Sequence, residues 1–377
     1  MRAKATTGRS AVFVSIIILV ALAVGGYYTI SRWVSTSSAC PASTPTGSEA
    51  SGPLVVHTIQ LGHFTGYVAV NPSTQMVYLT DSALPPSNTV TVLDGRTGAI
   101  VANVTVGSYP REVAVNPLTN MVYVANQVSD TLTVIDGSTN AVVANVSVGS
   151  NPYGVAVNPC TGLVYVTNEM SHSVSVIDGS TDLVVATLTV GCQPVCTNAS
   201  AGYPLGIAVD PSTNMVYVTN LDIDSLTMIN AATDTVLASV PVGSYPYAVA
   251  VDSSTDMVYV ANYLDNSVSV VNASSRTVVD TVPVGSFPID LSVNPSLGVV
   301  YVTDGGSNSV SAIECSTNAV VANVTVGDSP MGIAVNPTGG VVYVANTRSD
   351  NMSVISAPPA TPATKGSSRS LLCRIVR

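Results

Sequence analysis

Very little of this 377-residue chain is charged: Asp, Glu, Lys and Arg together make up 9%. Positive charge is scarcer still. Between residues 54 and 356 there are four arginines (Arg96, Arg111, Arg276 and Arg348), no lysine, and 21 Asp and Glu, a balance of −17. A surface of that sign repels phosphate backbones and argues against nucleic acid as a partner. Histidine occurs only as His57, His63 and His172, none with a partner at ligand spacing. No phosphate loop, nucleophile elbow or Cys-His signature is present, so neither a cofactor nor a metal site is expected. Beyond residue 30 no apolar segment reaches helical length between breakers, and β-branched residues crowd the runs, which disfavours helix. Ser, Thr and Asn cover the surface in place of charge. Sparse charge limits self-repulsion when carboxylates protonate, a composition suited to an acidic external medium.

What the chain has instead is repetition. Val-Tyr-Val-Thr-Asn or a close variant occurs seven times, with tyrosines at 78, 123, 165, 217, 259, 301 and 343. Five of the six steps are 42 or 45 residues; the fourth repeat begins after a step of 52. A fixed period near 42 indicates a propeller, solenoid or array. Each unit contains four runs of five to eight residues rich in Val, Ile, Tyr and Thr, closed by Gly, Pro, Asn, Asp or Ser. That is the strand signature, and connections so short join antiparallel neighbours. Four strands per unit, repeated radially, make a β-propeller blade. The fourth run has a polar residue at its fifth position (Asn103, Asn145, Thr187, Ser239, Thr281, Asn323), and Pro241 and Pro283 lie in it. Proline is tolerated at a sheet edge, so this strand is placed outermost. The run ending in Asn-Pro is placed innermost. The seventh unit lacks a fourth run, but residues 54–61 match Ala319–Val326 in frame. Pairing them into the last blade would close the ring and cover its open edge.

These boxes carry a resemblance. The seven Val-Tyr-Val-Thr/Ala-Asn/Asp motifs, the Asn-Pro turns at 71, 116, 158, 294 and 336, and the Val-Ile-Asp-Gly boxes at 134–137 and 176–179 make residues 54–356 resemble the YVTN family of β-propeller repeats. That family is known mostly from archaeal and bacterial surface proteins. The later blades depart from the last box, with Ile229-Asn230, Val271-Asn272 and Ile313-Glu314. The resemblance implies an all-β, seven-bladed propeller of four-stranded antiparallel blades, and a place at the cell surface. It says little about activity, because function sits on loops grafted onto a fold.

Outside the repeats, residues 1–10 are basic and read as cytoplasmic. Residues 11–30 are uncharged and apolar, long enough for a transmembrane helix, with Tyr27, Tyr28 and Trp33 at the far end. A cleaved signal peptide is the competing reading, and Ser38-Ala39-Cys40 faintly resembles a lipoprotein cleavage box. Residues 31–53 read as a Ser/Thr/Pro-rich stalk, and 357–377 as a flexible tail. The expected product is a single-pass membrane protein with an extracellular propeller. Cys192 and Cys196 lie in the insertion that lengthens one repeat. A disulfide suits an outside location, with a zinc site as the rival. Six sequons, at Asn103, Asn145, Asn198, Asn272, Asn323 and Asn351, permit glycosylation there.

The loops from each outer strand to the next inner strand share a face with those joining second and third strands. That face collects Phe64, Tyr109, Tyr153, Tyr203, Tyr245, Tyr247 and Phe287, with Arg111, Arg348, Glu169, His172, Asp224 and Asp265. Tyr109, Arg111, Tyr153, Tyr203, Tyr245, Phe287 and Arg348 form the candidate ligand site, suited to a cell-surface protein or glycan. The opposing reading makes each aromatic a wedge between blades. Two functions of different class follow: a membrane-tethered propeller for binding, adhesion or surface-layer contacts, and an extracytoplasmic enzyme. Some seven-bladed propellers resembling this one are lyases or lactonases, for which Glu169 and His172 are the only acid–base pairing in one loop; a solvated loop pair is the plainer account. No catalytic residue is assigned.

Overall fold

The computed structural model describes residues 53–81, 87–191 and 202–356. The apolar segment at 11–30, the stalk, the tail, the Cys192–Cys196 pair and the sequon at Asn198 lie outside the described residues. Among those described, 28 strands form seven four-stranded antiparallel sheets, six of them in simple sequential order from inside to outside. Blades 1 to 6 span residues 65–105, 110–147, 152–189, 204–241, 246–283 and 288–325. Blade 7 begins at 330 and is completed by the N-terminal strand Leu54–Gln60. That strand pairs antiparallel with Asn351–Ser356, from Leu54 opposite Ser356 to Gln60 opposite Asn351.

The second strand of each blade explains the absence of apolar–polar alternation. In Met121–Asn126, Val122 to Asn126 are all buried. Both faces of the sheet pack against neighbouring blades, so both must be apolar. The core is accordingly a series of layers between blades rather than one centre. One layer joins Tyr123, Leu132 and Val134 of blade 2 to Val155, Val164 and Ile177 of blade 3.

The seven repeat tyrosines are among the largest fully buried side chains, and each reaches into the following blade. A Cβ built on Gly137 would fall 2.7 Å from the Tyr78 hydroxyl, and one on Gly179 would fall 2.7 Å from that of Tyr123. The Asp-Gly box is therefore the socket for the preceding blade's tyrosine. Tyr343 closes the circle by donating to the Gly95 carbonyl at 2.9 Å. In blades 4 and 5 Ala231 and Ala273 stand at that position, in the layers built on Tyr165 and Tyr217. The repeat asparagine holds the following turn: Asn168 Nδ2 donates to Ser173 Oγ at 3.1 Å and Ser175 Oγ at 2.9 Å.

On the outer strands Asn103, Asn145 and Asn323 are exposed. Their Oδ1 atoms accept from Thr91 (3.0 Å), Thr133 (2.7 Å) and Ser311 (3.0 Å) of the third strand. Asn272 and Asn351 are half-buried, their side-chain oxygens accepting from Ser275 N and Asn346 Nδ2 at 2.8 Å each. Cys160, in the turn after Asn158-Pro159, is disulfide-bonded. No helix among the described residues is long and apolar enough to cross a membrane.

Candidate functional site

A bulge in every inner strand creates the site. The residue opening the strand, proline in six blades and Thr65 in the first, pairs with the Asn or Asp ending the second strand. One extra residue then breaks the register in all seven blades. A bulge re-aims side chains and leaves a backbone N–H without a ladder partner. The repeat threonine supplies that partner: Thr167 Oγ1 accepts from Gly154 N at 2.7 Å, Thr219 from Gly206 N at 2.8 Å and Thr303 from Asp290 N at 3.0 Å. The same hydroxyls donate onward to Leu205 O, Tyr247 O and Met331 O of the next blade. In blades 3, 4 and 6 the repeat threonine thus locks the bulge to the next blade.

The re-aimed side chains meet across the axis. Tyr67, Tyr153 and Tyr247 come from blades 1, 3 and 5, which are not neighbours. Yet Tyr153 Oη lies within hydrogen-bond distance of Tyr67 Oη, and 2.7 Å from Tyr247 Oη. Their rings pack edge to face, with centroids 5.9 and 6.0 Å apart. Tyr67 and Tyr153 are 3% exposed and form, with Leu205 and Leu221, an apolar plug that Tyr203, Tyr245, Tyr247 and Met331 pack against. Burial pushes the Tyr67 and Tyr153 hydroxyls well above the usual phenol range, so both stay protonated.

Beside the plug, the Arg111 guanidinium lies 4.4 Å from the Tyr109 ring centroid and 5.0 Å from that of Tyr153. Its Nε donates to Gln127 Oε1 at 2.7 Å, and Gln127 Nε2 donates to Glu169 Oε2 at 3.1 Å. Glu169 is pushed up, chiefly by burial and against the opposing pull of Gln127 and Arg111. It does not bond the His172 side chain, which instead meets Gly202 O at 3.1 Å and the Tyr203 ring at 5.3 Å. The acid–base pairing considered from sequence is therefore not assembled.

Two further carboxyls line a cavity of about 160 Å³ with Tyr67, Ile207, Val249 and Ile333. Glu112 Oε2 accepts from Val155 N at 3.2 Å; Asp290 accepts from Leu291 N at 2.8 Å and Ile333 N at 3.0 Å. Both retain some accessible surface because they line the channel, yet protein surrounds them. Burial pushes Asp290 up to about 7. Glu112 rises well above the carboxylate range through burial and the nearby Asp290 charge.

Around the plug stand the outer aromatics. Tyr109, Tyr245 and Phe287 each precede the inner-strand proline and each adopts a left-handed backbone, at φ 59°, 60° and 54°. Asn151 and Ser329 hold the equivalent turns of blades 3 and 7 at φ 55°. Side chains from the preceding blade fix these turns: Tyr245 N donates to Asp224 Oδ1 at 2.8 Å and Phe287 N to Asn266 Oδ1 at 2.9 Å. Tyr263 stacks on Phe287 at 4.9 Å and 23°, and lies 6.0 Å from Tyr245 and 5.7 Å from Tyr247. Rings therefore run unbroken from the axis to the surface, where Phe287 is 42% exposed.

Of the residues singled out from sequence, Tyr109, Arg111 and Tyr153 form one cluster, and Tyr245 and Phe287 flank Tyr263. Tyr203 packs on the plug. Arg348, exposed in the short turn Thr347–Ser349, joins neither group. Tyr153 is too buried to touch a ligand directly. Sequence reasoning missed Tyr67, Tyr263, Gln127, Glu112 and Asp290; Tyr67, Glu112 and Asp290 stand where other blades carry Gly154, Gly206, Ala248 and Gly332, whereas the position of Gln127 and Tyr263 varies from blade to blade and gave no signal.

Residues 65–256, just over half of the chain, match the sequence model of the YNCE-like beta-propeller. The chain belongs to that family. No curated protein matches it. Among solved structures, this YNCE-like propeller is similar to Kuenenia stuttgartiensis hydrazine synthase, with a TM-score of 0.68 at 19% identity, over 84% of this chain and 99% of that one. Likeness at that identity concerns the fold alone.

Proposed function

We propose that this YNCE-like propeller is a binding module at the cell surface, seating a glycan on the face that carries the aromatic turns. One observation carries the reading. Tyr109, Tyr245 and Phe287 occupy left-handed turns that cost a bulky residue about 1–2 kcal/mol each, while Asn151 and Ser329 fill the same turns without an aromatic. The turn does not need the ring, so the ring serves something beyond the turn. Half-exposed rings backed by a rigid plug offer flat apolar area with little ordering entropy left to lose.

Enzymatic use of Glu112 and Asp290 is less well supported. Their cavity of about 160 Å³ falls below the ~300 Å³ at which small-molecule pockets begin, and the tyrosine plug packs beside it. The extracellular setting rests on the apolar residues 11–30 with their basic flank, and a disulfide at Cys160 suits an oxidising compartment. Contact with a surface layer or a neighbouring cell would follow from the same face.

The test is direct binding of the purified protein to isolated cell-wall glycans, comparing wild type with Phe287→Ala, Tyr245→Asn and, as a control on the far side of the ring, Ser254→Ala. Weakening of about two- to tenfold in the first two but not the third is expected, since a stacked ring contributes roughly 0.5–1.5 kcal/mol. Equal binding by all four proteins would exclude this face.

A further inference from the structure

Among the described residues Arg111 makes no direct ion pair, in a domain that has an excess of carboxylates. The propeller carries 21 carboxylates against four arginines, yet the contacts of Arg111 are two tyrosine rings and the amide oxygen of Gln127. The nearest arrangement to an ion pair is indirect. Gln127 stands between, accepting from Arg111 Nε and donating to Glu169 Oε2. Glu112, next in the chain, is turned to the cavity and bonds Val155 N. Among the described residues, the two terminal nitrogens of Arg111 have no hydrogen-bond partner.

We propose that Arg111 is the seat for the carboxylate of an acidic sugar, a uronate unit in a glycan held by the surrounding rings. This deepens the glycan reading and rests on it. The guanidinium is planar, and its rings Tyr109 and Tyr153 fix that plane. The bond from Nε to Gln127 fixes its rotation. What remains free is the terminal fork, which matches the two oxygens of a carboxylate. Gln127 performs both tasks: it orients the arginine and keeps Glu169 from neutralising it. A direct Arg111–Glu169 pair would satisfy the charge internally and abolish the seat.

The class of anion follows from the rest of the domain. A polyphosphate or nucleic acid would bring many charges towards a propeller of net charge −17, at a repulsion one arginine does not offset. A single carboxylate on an otherwise neutral ring brings one charge and an apolar face. The neighbouring Tyr109 and, beyond the plug, Tyr245 and Phe287 are suited to that face.

The experiment titrates the full chain with an oligosaccharide carrying one glucuronate among neutral sugars, with the neutral oligosaccharide made by reducing that carboxyl, and with inorganic phosphate. Wild type is expected to prefer the acidic over the neutral oligosaccharide by about 10- to 100-fold, the range for a hydrogen bond to a charged group, with the preference shrinking as salt rises. Arg111→Gln should erase the preference, bringing the acidic oligosaccharide to the affinity of the neutral one. Gln127→Ala, which leaves the arginine in place, should reduce the preference part of the way and guards against a fold defect in the first variant. Equal affinity of wild type for the two oligosaccharides would overturn the carboxylate seat and leave the glycan reading standing. Binding of neither would overturn both. Phosphate binding that exceeds the uronate preference, lost in Arg111→Gln, would reassign the seat to a different anion.

Discussion

Asp304 stands where five other blades carry asparagine, and it is fully buried. Its Oδ2 accepts from Ser311 Oγ at 2.7 Å and Ser309 Oγ at 3.1 Å, yet burial outweighs these bonds and pushes its carboxyl up to about 6. The ionised form is therefore penalised in the folded state. Asn168, flanked by the equivalent Ser173 and Ser175, shows that an amide fits such a site. Asp304→Asn should raise stability by about 2–3 kcal/mol at pH 8, and the gain should fade as pH drops through 6 towards 4, where the aspartate is protonated in the folded chain and about half protonated in the unfolded one. Denaturant unfolding at several pH values measures this. The tyrosine and asparagine of the repeat were legible as structural residues because they recur. The threonine's role was not: Thr167 and Ala125 share a repeat position, and only the structure shows Thr167 tying a bulge to the next blade.

Among the elements, the strand Leu54–Gln60 closes the ring. Its in-frame match to the outer strands is what made it legible, since it must fill a gap left by the seventh repeat. Deleting residues 54–60 should expose the edge of Asn351–Ser356 and the layer around Ile59 and Met352, lowering the melting temperature by on the order of 10 °C. An unchanged melting curve would show that the ring is held without this strand. The inner-strand bulges were not legible. A one-residue slip leaves no trace in a run that is apolar on both faces, because both registers read alike. Hence the convergence of Tyr67, Tyr153 and Tyr247, which depends on the slip, could not be read from spacing, while Tyr109, Tyr245 and Phe287, fixed by visible Gly-Ser-aromatic-Pro turns, could.

For the whole molecule, buried acids set the response to pH. Asp290 at about 7 and Asp304 at about 6, with Glu112 also raised, bind protons in the native state at pH values where the unfolded chain does not. Stability should therefore rise as pH falls from 8 to about 4.5. Turn aspartates such as Asp136 and Asp178, held low by bonds from the serines two residues on, oppose this only below the ordinary carboxylate range. Melting temperatures across that window, at constant ionic strength, check the sign. A decline from pH 8 to 5 would show that the channel acids ionise freely. On the function proposed above, the outer aromatics exist for a ligand and not for the ring. The most direct measurement of this is the melting temperature and glycan affinity of one variant, Tyr109→Asn/Tyr245→Asn/Phe287→Asn, which gives three turns the residue that Asn151 already supplies in blade 3. Relief of three left-handed strains should offset the lost packing, so the account predicts a melting temperature at or above wild type with binding reduced at least about tenfold. A fall of several degrees with binding intact would show that the rings are wedges between blades, and would contradict it.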